Sequence, residues 1–131
     1  MHISTISCIL YKQNKAMKNL KVVKIDSQYL EFDNGVQLFS DHRQDCCESH
    51  YLSFSDLTLA DFDGLEFDLT NDNFFNRIEG YGIELVPISG FSVKIPGYGS
   101  NNGYYSSDLT LVITNNIGFR KTFDITECQD Y

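Results

Sequence analysis

Leu20-Lys21-Val22-Val23-Lys24-Ile25, Tyr29-Leu30-Glu31-Phe32 and Val36-Gln37-Leu38-Phe39 decide the fold class of this chain. Each run is short and rich in β-branched, aliphatic or aromatic residues. Turn formers bound them, Asp26-Ser27 after the first and Asp33-Asn34-Gly35 after the second. Such runs suit a pleated, half-buried surface. Asn-Gly takes the positive φ angles of a two-residue hairpin turn, so the second and third runs should fold back on each other. The expectation is a three-stranded antiparallel meander.

The same reading extends towards the C-terminus. Ile83-Glu84-Leu85-Val86, Phe91-Ser92-Val93-Lys94-Ile95, Leu109-Thr110-Leu111-Val112-Ile113 and Phe119 to Ile125 suit strands, with turn chemistry at Ser89-Gly90 and Asn115-Asn116. Residues 48–54 can form another, with Glu48, His50, Leu52 and Phe54 on one face and Cys47, Ser49, Tyr51 and Ser53 on the other. Residues 55–77 are acidic and mixed, and fit a short helix, a strand at Leu65 to Leu69, or an irregular crossing. The predicted class is mainly β, with α+β as the alternative. It is one domain of antiparallel strands, a small barrel or sandwich with one or two short helices.

Length and charge set further bounds. The 131 residues, 42% of them hydrophobic, suffice for one core and not two. Ten phenylalanines and eight tyrosines with no tryptophan favour aromatic packing across strands. Residues 1–25 carry five lysines and no acid, whereas the remainder sets five basic residues against all eighteen acidic ones. An acidic body repels phosphates, so nucleic acid is disfavoured as a partner. Residues 1–18 read as a basic extension that adds little to the fold, and residues 19–131 as the β-rich domain. Met17 is an alternative start. No secretory signal is evident and no stretch approaches the roughly eighteen apolar residues of a membrane span. The expected location is the cytoplasm, where Cys8, Cys46, Cys47 and Cys128 would be thiols.

Chemistry concentrates in His42-Arg43-Gln44-Asp45-Cys46-Cys47-Glu48-Ser49-His50, which holds two of three histidines and two of four cysteines. Read as a helix, it would put His42, Cys46 and His50 on one face as metal ligands, but its tail reads as a strand and no second ligand pair exists. A thiolate activated by His42, Arg43 or His50 would be a nucleophile, with Asp45 or Glu48 orienting the imidazole. The simplest reading makes the cysteines small buried hydrophobes and the acids hydrogen-bond acceptors. A second segment, residues 96–107, combines Gly97, Gly99 and Gly103 with Tyr98, Tyr104 and Tyr105. It fits either a hairpin loop turning at Asn102-Gly103 or a platform for a planar polar ligand. Asp61-Phe62-Asp63-Gly64 lacks calcium-loop spacing and reads as turn and cap residues.

Together, His42-x-Gln44-Asp45-Cys46-Cys47-Glu48-Ser49 and Asn102-Gly103-Tyr104-Tyr105-Ser106 resemble paired motifs of a family of uncharacterised small proteins encoded by phages and prophages, over residues 28–113. His50 stands where that family would carry an apolar residue, and residues 61–76 match loosely. The resemblance implies no activity, but it does imply that the two segments are neighbours. His42, Asp45, Cys46, Cys47, Glu48, Asn102, Tyr104, Tyr105 and Ser106 are therefore the candidate binding residues. His42, Cys46 and His50 are the weaker metal candidates, and no cofactor is called for. The leading expectation is a non-enzymatic accessory module in the cytoplasm of a bacterial host, binding a host or phage protein or a small ligand. The alternatives are a metalloprotein or cysteine-dependent enzyme, and a minor virion or assembly component.

Overall fold

A computed structural model describes residues 17–42, 49–100 and 107–130, and these residues form nine strands in two antiparallel sheets. The first three strands are β1 (Val22–Ile25), β2 (Tyr29–Phe32) and β3 (Gln37–Asp41). They form the expected meander. With β8 (Thr110–Thr114) and β9 (Arg120–Asp124) they make a five-stranded sheet in the order β1-β2-β3-β8-β9. The second sheet contains β4 (Ser49–Leu52), β5 (Phe75–Ile78), β6 (Gly82–Leu85) and β7 (Val93–Ser100), ordered β4-β7-β6-β5. The architecture is a sandwich of two sheets, and the only described helical elements are two 3-10 turns, Leu59–Phe62 and Asp72–Phe74.

Alternation places the core. Leu30, Phe32 and Leu38 from the first sheet share one buried cluster with Leu52, Ile83, Leu85 and Ile95 from the second. Each such side chain contributes about 1.5–3 kcal/mol by leaving water. The interior also takes Phe62 and Phe67 from the crossing between β4 and β5. Phe67 stacks edge-on against Phe32, with ring centroids 5.9 Å apart.

Two local expectations are corrected. The turn after β2 has three residues, because Gly35 alone takes positive φ there. Phe32 N–H reaches Val36 O, Gly35 N–H reaches Phe32 O, and the Asn34 side chain accepts from Val36 N–H. The Asn34 carboxamide thus folds over its own turn instead of entering the left-handed region. Secondly, residues 96–100 are not loop: Pro96 to Ser100 complete β7, the longest strand. Pro96 is tolerated there because its carbonyl serves β4, accepting from Ser53 N–H. Of the alternatives open for residues 55–77, short helical turns and an irregular crossing form, not a strand at Leu65 to Leu69. Phe67 makes a lone bridge to Leu20, and the strand that sequence missed is β5.

The sheets meet in two different ways. Where β5 approaches β9, the rings of Phe74, Phe75 and Phe123 pack with centroids 4.9–5.6 Å apart. Where β3 hands over to β4, the Ser40 hydroxyl accepts Leu52 N–H at 2.9 Å. That contact occupies a donor on the edge strand β4, where free N–H groups would invite pairing with other chains.

Candidate functional site

The alternation that buries Leu52 also buries His50, two residues earlier on β4, while Tyr51 between them is exposed. His42 follows directly on β3. Its strand neighbour Asp41 pairs with Thr110 of β8, which brings the imidazole beside Asp108. The two histidines converge from different sheets. Their ring centroids lie 4.3 Å apart at an interplanar angle of 57°, and the His42 side chain is 3% exposed.

Hydrogen bonding fixes the orientation of both rings. His42 Nδ1 meets the carbonyl oxygen of Asp108, with a carboxylate oxygen of the same residue 3.5 Å away. A carbonyl only accepts, so Nδ1 donates. His50 Nδ1 meets the side-chain oxygen of Gln129. The Gln129 amide is itself oriented, because its Nε2 donates to Ser107 O at 2.6 Å and to Thr126 O at 2.9 Å. The amide oxygen therefore faces His50, and Nδ1 carries that proton as well. In the neutral form each ring then presents its acceptor lone pair at Nε2.

Gln129 holds this position because the C-terminal segment lies along β7. Asp130 N–H donates to Gly97 O and Gly99 N–H to Asp130 O, continuing the edge of β7 beyond the end of β6. Gly97 is required by proximity: a Cβ there would lie 2.4 Å from Cys128 O. Cys128 is buried beside it, and burial, followed by the neighbouring Glu127 charge, pushes its thiol up. A thiol held protonated in this way is a packing group, not a nucleophile.

Ser27, Gln28, Ser40, Asp41, Ser49 and Tyr51 line, with the histidines, a cleft of about 460 Å³. Of the residues expected from sequence, His42 and His50 are brought together here. Asp45, Cys46, Cys47, Glu48, Asn102, Tyr104, Tyr105 and Ser106 lie outside the described residues, as do residues 1–16. The described flanks of the two segments nevertheless gather at this place. Ser49 pairs with Ser100, and Ser107 accepts from Gln129, which bonds His50.

Sequence reasoning missed Asp108 and Gln129. Neither carries a local pattern, since each acts through a contact far away in the chain: 66 residues separate His42 from Asp108, and 79 separate His50 from Gln129. The aspartates after β4 behave as turn and cap residues. Asp61 accepts from Thr58 N–H and from the Thr58 hydroxyl, and Asp68 from Thr70. Among the described residues, no group of three or more His, Cys, Asp or Glu side chains is arranged to hold a metal ion. No described helix is long and apolar enough to cross a membrane.

Residues 7–111 match the family model described as Domain of unknown function (DUF7448), and the chain belongs to that family. The match includes both the His42 to His50 segment and residues 102–106. No curated protein and no solved structure matches the chain.

Proposed function

We propose that this member of the family is a non-enzymatic binding module that takes a small polar ligand into the cleft beside His42 and His50. The observation that carries the reading is the pair of buried, differently anchored imidazoles at the cleft. Buried polar groups are costly unless each is satisfied, and here Asp108 and Gln129, each far in sequence from the histidine it meets, are spent on orienting the two rings. The cleft volume of about 460 Å³ falls in the range of small-molecule sites. Its serines, Gln28, Asp41 and Tyr51 supply hydrogen-bonding groups of both polarities. The setting we assign is the cytoplasm of a bacterial host, as a phage or prophage accessory protein. The motifs at 42–49 and 102–106 support that setting.

A second reading, a metal centre, is favoured by one specific observation. Histidines that ligate metals commonly donate their other ring N–H to a carbonyl or carboxylate, as both do here. Cys46, Cys47, Asp45 and Glu48 lie between them in sequence and would be the ligands to test.

Native mass spectrometry of the full chain, purified under reducing conditions without added metal and compared with its denatured mass, separates the readings. The binding module predicts extra mass matching an organic molecule, diminished by Gln28→Ala or Ser49→Ala. Mass matching a metal ion supports the second reading. A bare chain whose amide shifts near residues 27–28, 40–42 and 49–51 stay unmoved by a metabolite mixture would contradict the first.

A further inference from the structure

The four-stranded sheet carries a second feature, a groove that shares no lining residue with the histidine cleft. Tyr51 and Tyr98 are register partners across β4 and β7, with ring centroids 5.6 Å apart and both exposed. Beyond them lie Pro96 and Tyr81, then Phe91, which is 91% exposed. Exposed single hydrophobes need no explanation, but Tyr81 and Phe91 gathered with Pro96, Leu57 and Leu65 about one groove do. The segment bearing Phe91 is fixed: Pro87 is buried and Ile88 N–H donates to Glu66 O at 2.8 Å. Phe91 therefore stands outward on a held segment.

Tyr81, Phe91, Leu57 and Leu65 line a groove of about 510 Å³. Asp56, Asp61 and Asp63 line it against a single cation, Lys94. The buried rings of Phe54 and Phe62 turn this segment so that its carboxylates face out. The groove therefore offers apolar and aromatic surface beside excess negative charge. Lys94 Nζ already lies 6.0 Å from the Tyr81 ring centroid, within reach of a cation–π contact. An ammonium or guanidinium from outside would find the same ring faces together with carboxylates to pair.

We infer that this groove is a docking site for a basic segment of a partner protein, an extended stretch in which Lys or Arg alternates with apolar residues. The cations would meet Asp56, Asp63 and the Tyr81 face, and an apolar residue would cover Phe91. Such surfaces speed association through charge and hold through an aromatic anchor. The site is distinct from the histidine cleft and stands whether or not that cleft binds a ligand.

The test uses the full chain and a fluorescein-labelled peptide of alternating arginine and leucine, followed by anisotropy and backbone amide shifts. Binding is expected, with shifts centred on Tyr81, Phe91 and Asp63. Phe91→Ala should weaken it about tenfold, an effect typical of an aromatic anchor. Asp56→Asn with Asp63→Asn should also weaken it, and Asp26→Asn with Asp33→Asn, which removes equal charge on the other sheet, should not. No binding, shifts centred elsewhere, or equal loss in the two double variants would overturn the proposal. So would a peptide-independent dimer abolished by Phe91→Ala, since a second copy would then be the occupant.

Discussion

The sandwich is joined by rings in one place and by hydrogen bonds in another, and the two joints do different work. Phe74, Phe75 and Phe123 fill the gap between β5 and β9 with apolar surface, which needs no particular orientation to stabilise the fold. His42, His50 and Gln129 fill the gap where β3, β4 and the C-terminal segment meet. Their polar atoms must each find a partner, so this joint is directional and its net stabilisation small. A chain that needed only a closed sandwich would be served by more phenylalanine. The polar joint is costlier to build, and it holds two imidazoles in defined orientations beside a cleft.

The largest expected effect breaks the aromatic joint. Phe74→Ala should cost about 3–5 kcal/mol in urea unfolding, the range for deleting a buried ring. His50 and Gln129 should keep their native chemical shifts in the folded fraction. Loss of those shifts would mean that the two joints are one cooperative unit.

Gln129→Ala addresses the polar joint. It removes the Gln129 oxygen that faces His50 Nδ1 and the amide that donates to the Ser107 and Thr126 carbonyls, so a loss of about 1–3 kcal/mol is expected. Gly97→Ala should act on the same joint through the backbone, at about 1–3 kcal/mol, by forcing the Cys128 carbonyl away. In both variants the His50 ring signals should move while those of Phe123 stay. The reverse pattern would contradict the assignment of Gln129.

The smallest effect calibrates the comparison with a hydrogen bond in water. Asp68 is held below the ordinary carboxylate range, first by the Thr70 hydroxyl, with burial opposing and the Thr70 backbone N–H adding to it. Its folded value is depressed, so its contribution to stability is present above the unfolded value near ~3.9 and is lost as pH falls through the lowered one. Thr70→Val should raise the Asp68 titration midpoint in a carboxyl carbon NMR titration, with little change in the urea midpoint at neutral pH. A large loss of stability would show that exposed and buried hydrogen bonds count alike here.

Much of this fold was legible because strands declare themselves locally. Val22 to Phe39, Ile83 to Leu85 and Leu109 to Asp124 alternate or run apolar between turn residues, and all became strands in the expected order. Phe75 to Ile78 was obscured by the acidic residues before it and by Asn76 and Arg77, which are tolerated on an edge strand. Pro96 to Ser100 read as loop because glycine and proline usually interrupt strands. In this sheet those residues lie where the C-terminal segment crosses close to β7. His42 and His50 could be picked out by residue type, but Asp108 and Gln129 could not. Their roles exist only after two sheets and a C-terminal segment have assembled.

The central claim is that both histidines are fixed as Nδ1–H rings by carbonyl acceptors. Long-range proton–nitrogen correlation spectra of ¹⁵N-labelled protein at neutral pH test it most directly. Neutral His42 and His50 are predicted to show protonated Nδ1 and an unprotonated Nε2, with His50 losing that preference in Gln129→Ala. Neutral rings protonated at Nε2, or a His50 spectrum unchanged by Gln129→Ala, would contradict the account.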